Sequence, residues 1–153
     1  VADLAREAVH RDAVWRDRAD FIVAIELSGE TEVKTEQLWT RQIAGCQFEV
    51  CCIRFFAYDL ALGDVVETDD NYLVQRVLEA PGRFVFRIWF GELFYPRDEI
   101  AGQLVALGAA LEWSSVNLLA VDAADEKMAE LISSFLLERE ECGQLVCEAG
   151  RTM

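Results

Sequence analysis

Arg83-Phe84-Val85-Phe86-Arg87-Ile88-Trp89-Phe90 decides the fold. Phe84, Phe86, Ile88 and Phe90 alternate with Val85, Arg87 and Trp89 at the period of two that gives a strand two distinct faces. One of those faces is wholly apolar. Downstream, Pro96 suits a first helical turn, where a missing N–H is tolerated, and Asp98 and Glu99 stand near the positive end of the helix dipole. Ile100, Leu104 and Leu107 recur at helical spacing, and Gly108 is a suitable stop. Residues 111–113 and 116–121 read as short strands flanking Ser114 and Ser115, either around a tight turn or as one kinked strand. A second helix follows, with Asp122 as its cap, Asp125 three residues on, and Met128, Leu131, Ile132, Phe135 and Leu136 on one face. Gly143 closes it, and residues 144–148 supply a last strand. Strand, helix, strand, strand, helix, strand is the order of a ferredoxin-like βαββαβ unit, in which two helices cover one face of an antiparallel sheet. The other face is then solvated, paired with a second copy, or covered by the rest of the chain.

Upstream, five candidate strands occupy residues 21–27, 37–43, 47–53, 64–68 and 72–79, with no helical pattern among them. Short strands with short turns predict a small five-stranded, SH3-like β-barrel over residues 21–80. Ala44 and Gly45 mark one turn, Asp69, Asp70 and Asn71 another, and Pro81 with Gly82 joins the barrel to the strand of residues 83–90. That connection is too short for a flexible linker. The expected architecture is therefore α+β, with the barrel and the ferredoxin-like unit of residues 81–153 packed as one body. Residues 1–20 differ in kind: Leu4, Ala8, Val14 and Trp15 are scattered among acids and bases, as in a short amphipathic helix or a frayed extension.

Charge narrows the function classes. Against 28 acids stand 14 bases, a formal net charge of −14, and the bases are scattered singly; residues 55–75 contain none while holding Asp59, Asp64, Glu67, Asp69 and Asp70. Nucleic acid and anionic membranes are disfavoured as partners; a basic protein partner is permitted, beside the plainer reading of an acidic surface that keeps the protein soluble. No stretch is long and apolar enough to span a bilayer or to serve as a signal-peptide core, so a soluble, cytoplasmic protein is expected.

Five cysteines, at 46, 51, 52, 142 and 147, form no C-x-x-C pair, and the one histidine, His10, lies in the N-terminal extension. Buried reduced thiols are expected, and neither a metal nor a cofactor. A single imidazole and the absence of a G-x-S-x-G context leave little basis for a nucleophilic relay. Asp59, Asp64 and Glu67 suit turns and a solvated strand face; a cation held by Asp64, Asp69 and Asp70 lacks the glycine and terminal glutamate of a calcium loop.

Aromatic side chains mostly fall where strands need core. Two loops stand apart: residues 54–63, and Phe90-Gly91-Glu92-Leu93-Phe94-Tyr95-Pro96, which joins a strand to a helix with three large aromatics. Loops on a rigid scaffold carry function, so the candidate binding residues are Arg54, Phe55, Phe56, Tyr58, Asp59, Asp64, Trp89, Glu92, Phe94, Tyr95 and Arg97. No catalytic residue is assigned.

Leu38-Trp39, Phe48-Glu49-Val50, Cys52-Ile53-Arg54-Phe55-Phe56 and Leu62-Gly63-Asp64-Val65-Val66 together resemble the signature of a family of small bacterial proteins, the domain of unknown function DUF4265. The resemblance runs from about Phe21 to Arg151. The family motif has Asn-Ile-Pro before the aromatic pair, and here Cys52-Ile53-Arg54 stands in its place, without the loop constraint of a proline. The resemblance implies a bacterial, freestanding protein and brings no activity, cofactor or catalytic residue. Twelve of the 14 bases being arginine fits a high-GC bacterial genome.

Three functional readings follow. The first is a non-enzymatic protein-binding module, immunity- or antitoxin-like, for a basic partner. The second is a small-molecule-binding regulatory protein, by fold analogy. The third is an enzyme using carboxylates with Arg54, Arg87 or Arg97 in the cleft between barrel and sheet. The chain is expected as a monomer or a homodimer.

Overall fold

The longest strand lies in the first half of the chain. In the computed structural model of the chain, which describes residues 6–27, 32–91 and 96–149, Val33–Ala44 forms a strand of 12 residues (β3). Its inward positions are Glu36, Leu38 and Thr40, all fully buried. Phe21–Glu26 (β2) pairs antiparallel along one edge of β3. The other edge is shared: Arg6–Ala8 (β1) runs parallel beside Val33 to Glu36, and Gln47–Val50 (β4) pairs antiparallel from Thr40 onward. Val65–Thr68 (β5) and Val74–Glu79 (β6) continue the sheet beyond β4.

All five expected strands form here, but not as a closed barrel. The ends of the sheet meet at one isolated bridge, Ala24 with Leu73, where the Ala24 amide donates to the Tyr72 carbonyl at 3.0 Å. One bridge curls the sheet without sealing it. The strand expected over residues 47–53 stops at Val50: the Cys51 amide still donates to the Trp39 carbonyl of β3, but those of Ile53 and Phe55 turn to side-chain carboxylates. Residues 6–20 are neither a helix nor frayed. After β1 they pass through successive turns, pinned by the Trp15 amide donating to the Cys51 carbonyl at 3.1 Å and by the Arg16 guanidinium lying 3.7 Å above the Trp39 ring.

The second half contains Phe84–Trp89 (β7), Arg97–Ala106 (α1), Ala110–Trp113 (β8), Leu118–Ala123 (β9), Glu126–Glu141 (α2) and Val146–Ala149 (β10). The strands form one sheet in the order β10-β7-β9-β8, with every neighbour antiparallel. A four-residue turn separates β8 from β9, where the Ser115 hydroxyl accepts from the amides of Asn117 and Leu118, so the hairpin forms and the single kinked strand does not. Asp125 caps α2, accepting from the Met128 amide at 2.8 Å. The cap expected at Asp122 falls three residues later because β9 runs on to Ala123 and Asp122 is taken by Arg83. Gly108 and Gly143, at φ 101° and 76°, take the left-handed conformation beyond the two helix ends.

Both faces of β7 and β9 are used. Phe86, Ile88, Phe90, Leu119 and Val121 pack beneath Ile100, Leu104, Ile132 and Leu136 of the helices. On the opposite face Val85 and Ala120 meet Ile53, Phe55 and Ala61, which belong to the segment between β4 and β5. That segment, residues 51–64, has no regular secondary structure, yet all but Phe56, Tyr58 and Asp59 are buried. A connection lying inside the molecule must find partners for its backbone amides, and the place where they are found is the candidate site.

Candidate functional site

Glu36, paired with Ala8 of β1 on one side and Ile25 of β2 on the other, is fully buried. Its Oε2 accepts from the Phe55 amide at 2.6 Å, and its Oε1 from the amides of Phe56 and Ala57 at 2.9 Å each. From the second sheet Glu112, on β8, accepts through Oε2 from the amides of Ile53 at 2.6 Å and Val14 at 3.2 Å. His10 bridges the two carboxylates: Nε2 donates to Glu36 and Nδ1 to Glu112, both at 2.7 Å. All three side chains are buried. Burial works against a charged imidazole here, but the adjoining Cys52 and the carboxylates of Glu112 and Glu36 outweigh it and raise the His10 pKa to about 12. Burial likewise opposes the Glu36 carboxylate, yet His10 and the amides hold its pKa below the usual 4.5.

The result is an imidazolium between two carboxylates that together also accept from five backbone amides. His10 stacks on Phe55, the ring centres 4.0 Å apart and 13° from parallel, which fixes the ring plane. A buried network with every member satisfied rigidifies the structure around it.

Cys52 beside His10 and two glutamates has the composition of a nucleophilic relay, but the geometry does not support one. Both imidazole nitrogens are committed to carboxylates, so neither is left to take a thiol proton. Cys52 is fully buried, and burial raises its pKa. All five cysteines are free thiols; only Cys51 and Cys52 are buried, whereas Cys46 and Cys147 are half-buried and Cys142 is exposed. Burial, followed by nearby Glu49, pushes the Cys51 thiol up to about 12. Among the described residues no group of His, Cys, Asp and Glu has the arrangement of a metal site. Asp64 and Asp69 lie at opposite ends of β5, the first accepting from the Ala61 amide and the second from the amides of Asn71 and Leu73.

The candidate binding residues separate by environment. Arg54, Phe55 and Asp64 are buried, Phe56 and Arg97 are partly covered, and Tyr58, Asp59 and Trp89 are exposed. Glu92, Phe94 and Tyr95 lie outside the described residues. Arg54 sits with Tyr58, its guanidinium carbon 6.0 Å from the ring centre, and near Arg87, whose guanidinium donates to the Phe55 carbonyl at 3.1 Å and to Glu148 at 2.9 Å. Burial, then the neighbouring Arg87, holds the Arg54 pKa below the usual guanidinium range. Arg97 is elsewhere, over the Trp113 ring at 4.7 Å. An open groove of about 480 Å³ runs beside Trp89, Leu145 and Val146.

Sequence reasoning did not find the His10–Glu36–Glu112 cluster. One signal was available: Glu36 is in phase with Leu38 and Thr40, the inward positions of β3. Nothing local pairs it with His10, 26 residues away in sequence, or pairs His10 with Glu112, 102 residues away.

No curated protein matches the chain. Its fold is similar to that of a solved structure, a hypothetical protein from Neisseria gonorrhoeae, at 19% identity and a TM-score of 0.71 over 86% of this chain and 96% of that one. At that identity the likeness is one of fold. The sequence model of a domain of unknown function, DUF4265, matches residues 36–147, from the buried glutamate of β3 to the last strand, and the chain belongs to that family.

Proposed function

We propose that this protein is a non-enzymatic binding module that docks a basic protein partner, as an immunity- or antitoxin-like factor would. The observation that carries this reading is the outward stripe of α2. Glu130, Leu131, Ser134, Leu137, Glu138 and Glu141 recur there at helical spacing, all exposed, with Leu131 and Leu137 at 52% and 57%. Lys127 is the base on the same stripe. Leucines set among glutamates offer a partner apolar contact within an acidic field, and a net charge of −14 steers a basic protein toward it. The commitment of both His10 nitrogens argues against acid–base work by that residue.

The finer architectural reading belongs with this proposal. The order β10-β7-β9-β8 with both helices on one face supports a ferredoxin-like unit, and the curled β2–β6 sheet supports an open relative of the SH3-like barrel. Five free thiols fit a reducing, cytoplasmic setting.

Immobilised protein incubated with lysate of its native host tests the function. A basic partner retained at about 50 mM salt and released at about 500 mM is the expected result, with capture lost in the triple variant Glu130→Lys, Glu138→Lys, Glu141→Lys. Equal capture by wild type and variant, or no basic partner at low salt, counts against the reading.

A further inference from the structure

Among the described residues, Arg54 is a fully buried group that the cluster of His10, Glu36 and Glu112 does not explain. Its side chain is 0% exposed, and Nε, Nη1 and Nη2 have no hydrogen-bond partner among the described residues. A guanidinium carries five donors and keeps its charge at any pH a protein survives. The carboxylates within its field are already engaged: Glu36 by His10 and three amides, Glu148 by Arg87. The other charge acting on it is a second cation, Arg87. Two neighbouring arginines, one with its whole donor fork unused, make a place of positive potential suited to a negative group.

We propose that Arg54, backed by Arg87, binds an oxyanion, the carboxylate or phosphate group of a small ligand, between the two sheets. Tyr58 is the cover. It reaches from the guanidinium to the surface, where it is 56% exposed, and the following residue, Asp59, sits at φ 56°, a conformation that non-glycine residues rarely hold. The fork of Arg54 suits bidentate contact with either anion, and Arg87 adds positive potential beside it. This site is independent of the partner surface on α2, since the helices cover the opposite face of the second sheet.

Thermal denaturation of the full chain in sodium phosphate, in sodium succinate and in sodium chloride of equal ionic strength tests the inference. Wild type is expected to gain on the order of 5 °C in phosphate or succinate near saturation, relative to chloride. Arg54→Met is expected to lose that gain and, in chloride, to be at least as stable as wild type, because an unpaired buried charge has been replaced by an apolar chain. Arg54→Lys, which keeps charge but not the fork, should bind at least about tenfold more weakly. Calorimetric titration of wild type with each anion supplies a second readout that needs no variant to fold. The anion that saturates at the lower concentration identifies the ligand class. Identical melting in all three salts with no saturable heat, or an equal response in Arg54→Met, overturns the proposal.

Discussion

Three side chains join the two sheets, and their protonation makes stability depend on pH in a definite direction. His10 is raised from its ordinary 6.5 to about 12, so its contribution is complete below 6.5 and is lost as pH climbs toward 12. The thiols of Cys51 and Cys147, pushed from 9.0 to about 12 by burial first and then by nearby glutamates, lose their contributions over the upper part of that range. Glu36 is lowered from 4.5, so its contribution is complete above 4.5 and is lost as the pH falls. Urea unfolding across the pH scale should therefore show maximal stability between 4.5 and 6.5, falling by roughly 1.4 kcal/mol per pH unit above it from His10 alone. A maximum above pH 8 would show that His10 is neutral in the folded protein. Glu36→Ala should cost about 3–5 kcal/mol at pH 6, since it strands one imidazolium and three amides away from water.

Elements were the most legible level of this chain. The alternation in Phe84 to Phe90, the helical spacing of Ile132 and Leu136, and Gly143 each reflect constraints that act within a few residues. Legibility failed where a local signal had two satisfactory uses. Asp122 and Asp125 both suit a helix N-terminus, and the choice was made by Arg83, 39 residues away from Asp122, which engages the first of them within β9, between β7 and β8. Asp125→Ala should consequently cost about 1 kcal/mol in thermal unfolding and leave the sheet intact. Asp122→Ala should cost more, because it leaves the half-buried Arg83 without its carboxylate. Equal costs would show that the Arg83–Asp122 pair contributes no more than the cap.

At the scale of the whole molecule, the segment of residues 51–64 separates one sheet from the other and supplies core to both. A peptide of residues 83–149 alone would expose Val85 and Ala120 and would leave Glu112 without His10 or the amides of Ile53 and Val14. Such a fragment is expected to unfold non-cooperatively or to associate, and a sharp, monomeric unfolding transition would show that the second sheet folds independently. By itself the sequence determined the α+β class, the strands with their alternating faces, both helices and the acidic charge, because those depend on periodicity and composition. Only the tertiary structure decided that the first sheet stays open, that residues 6–20 are built into it, and that His10, Glu36 and Glu112 meet around a buried loop. The physical reason is that backbone amides taken out of water must find acceptors wherever packing happens to bring them, and no short-range pattern records which distant carboxylate that will be.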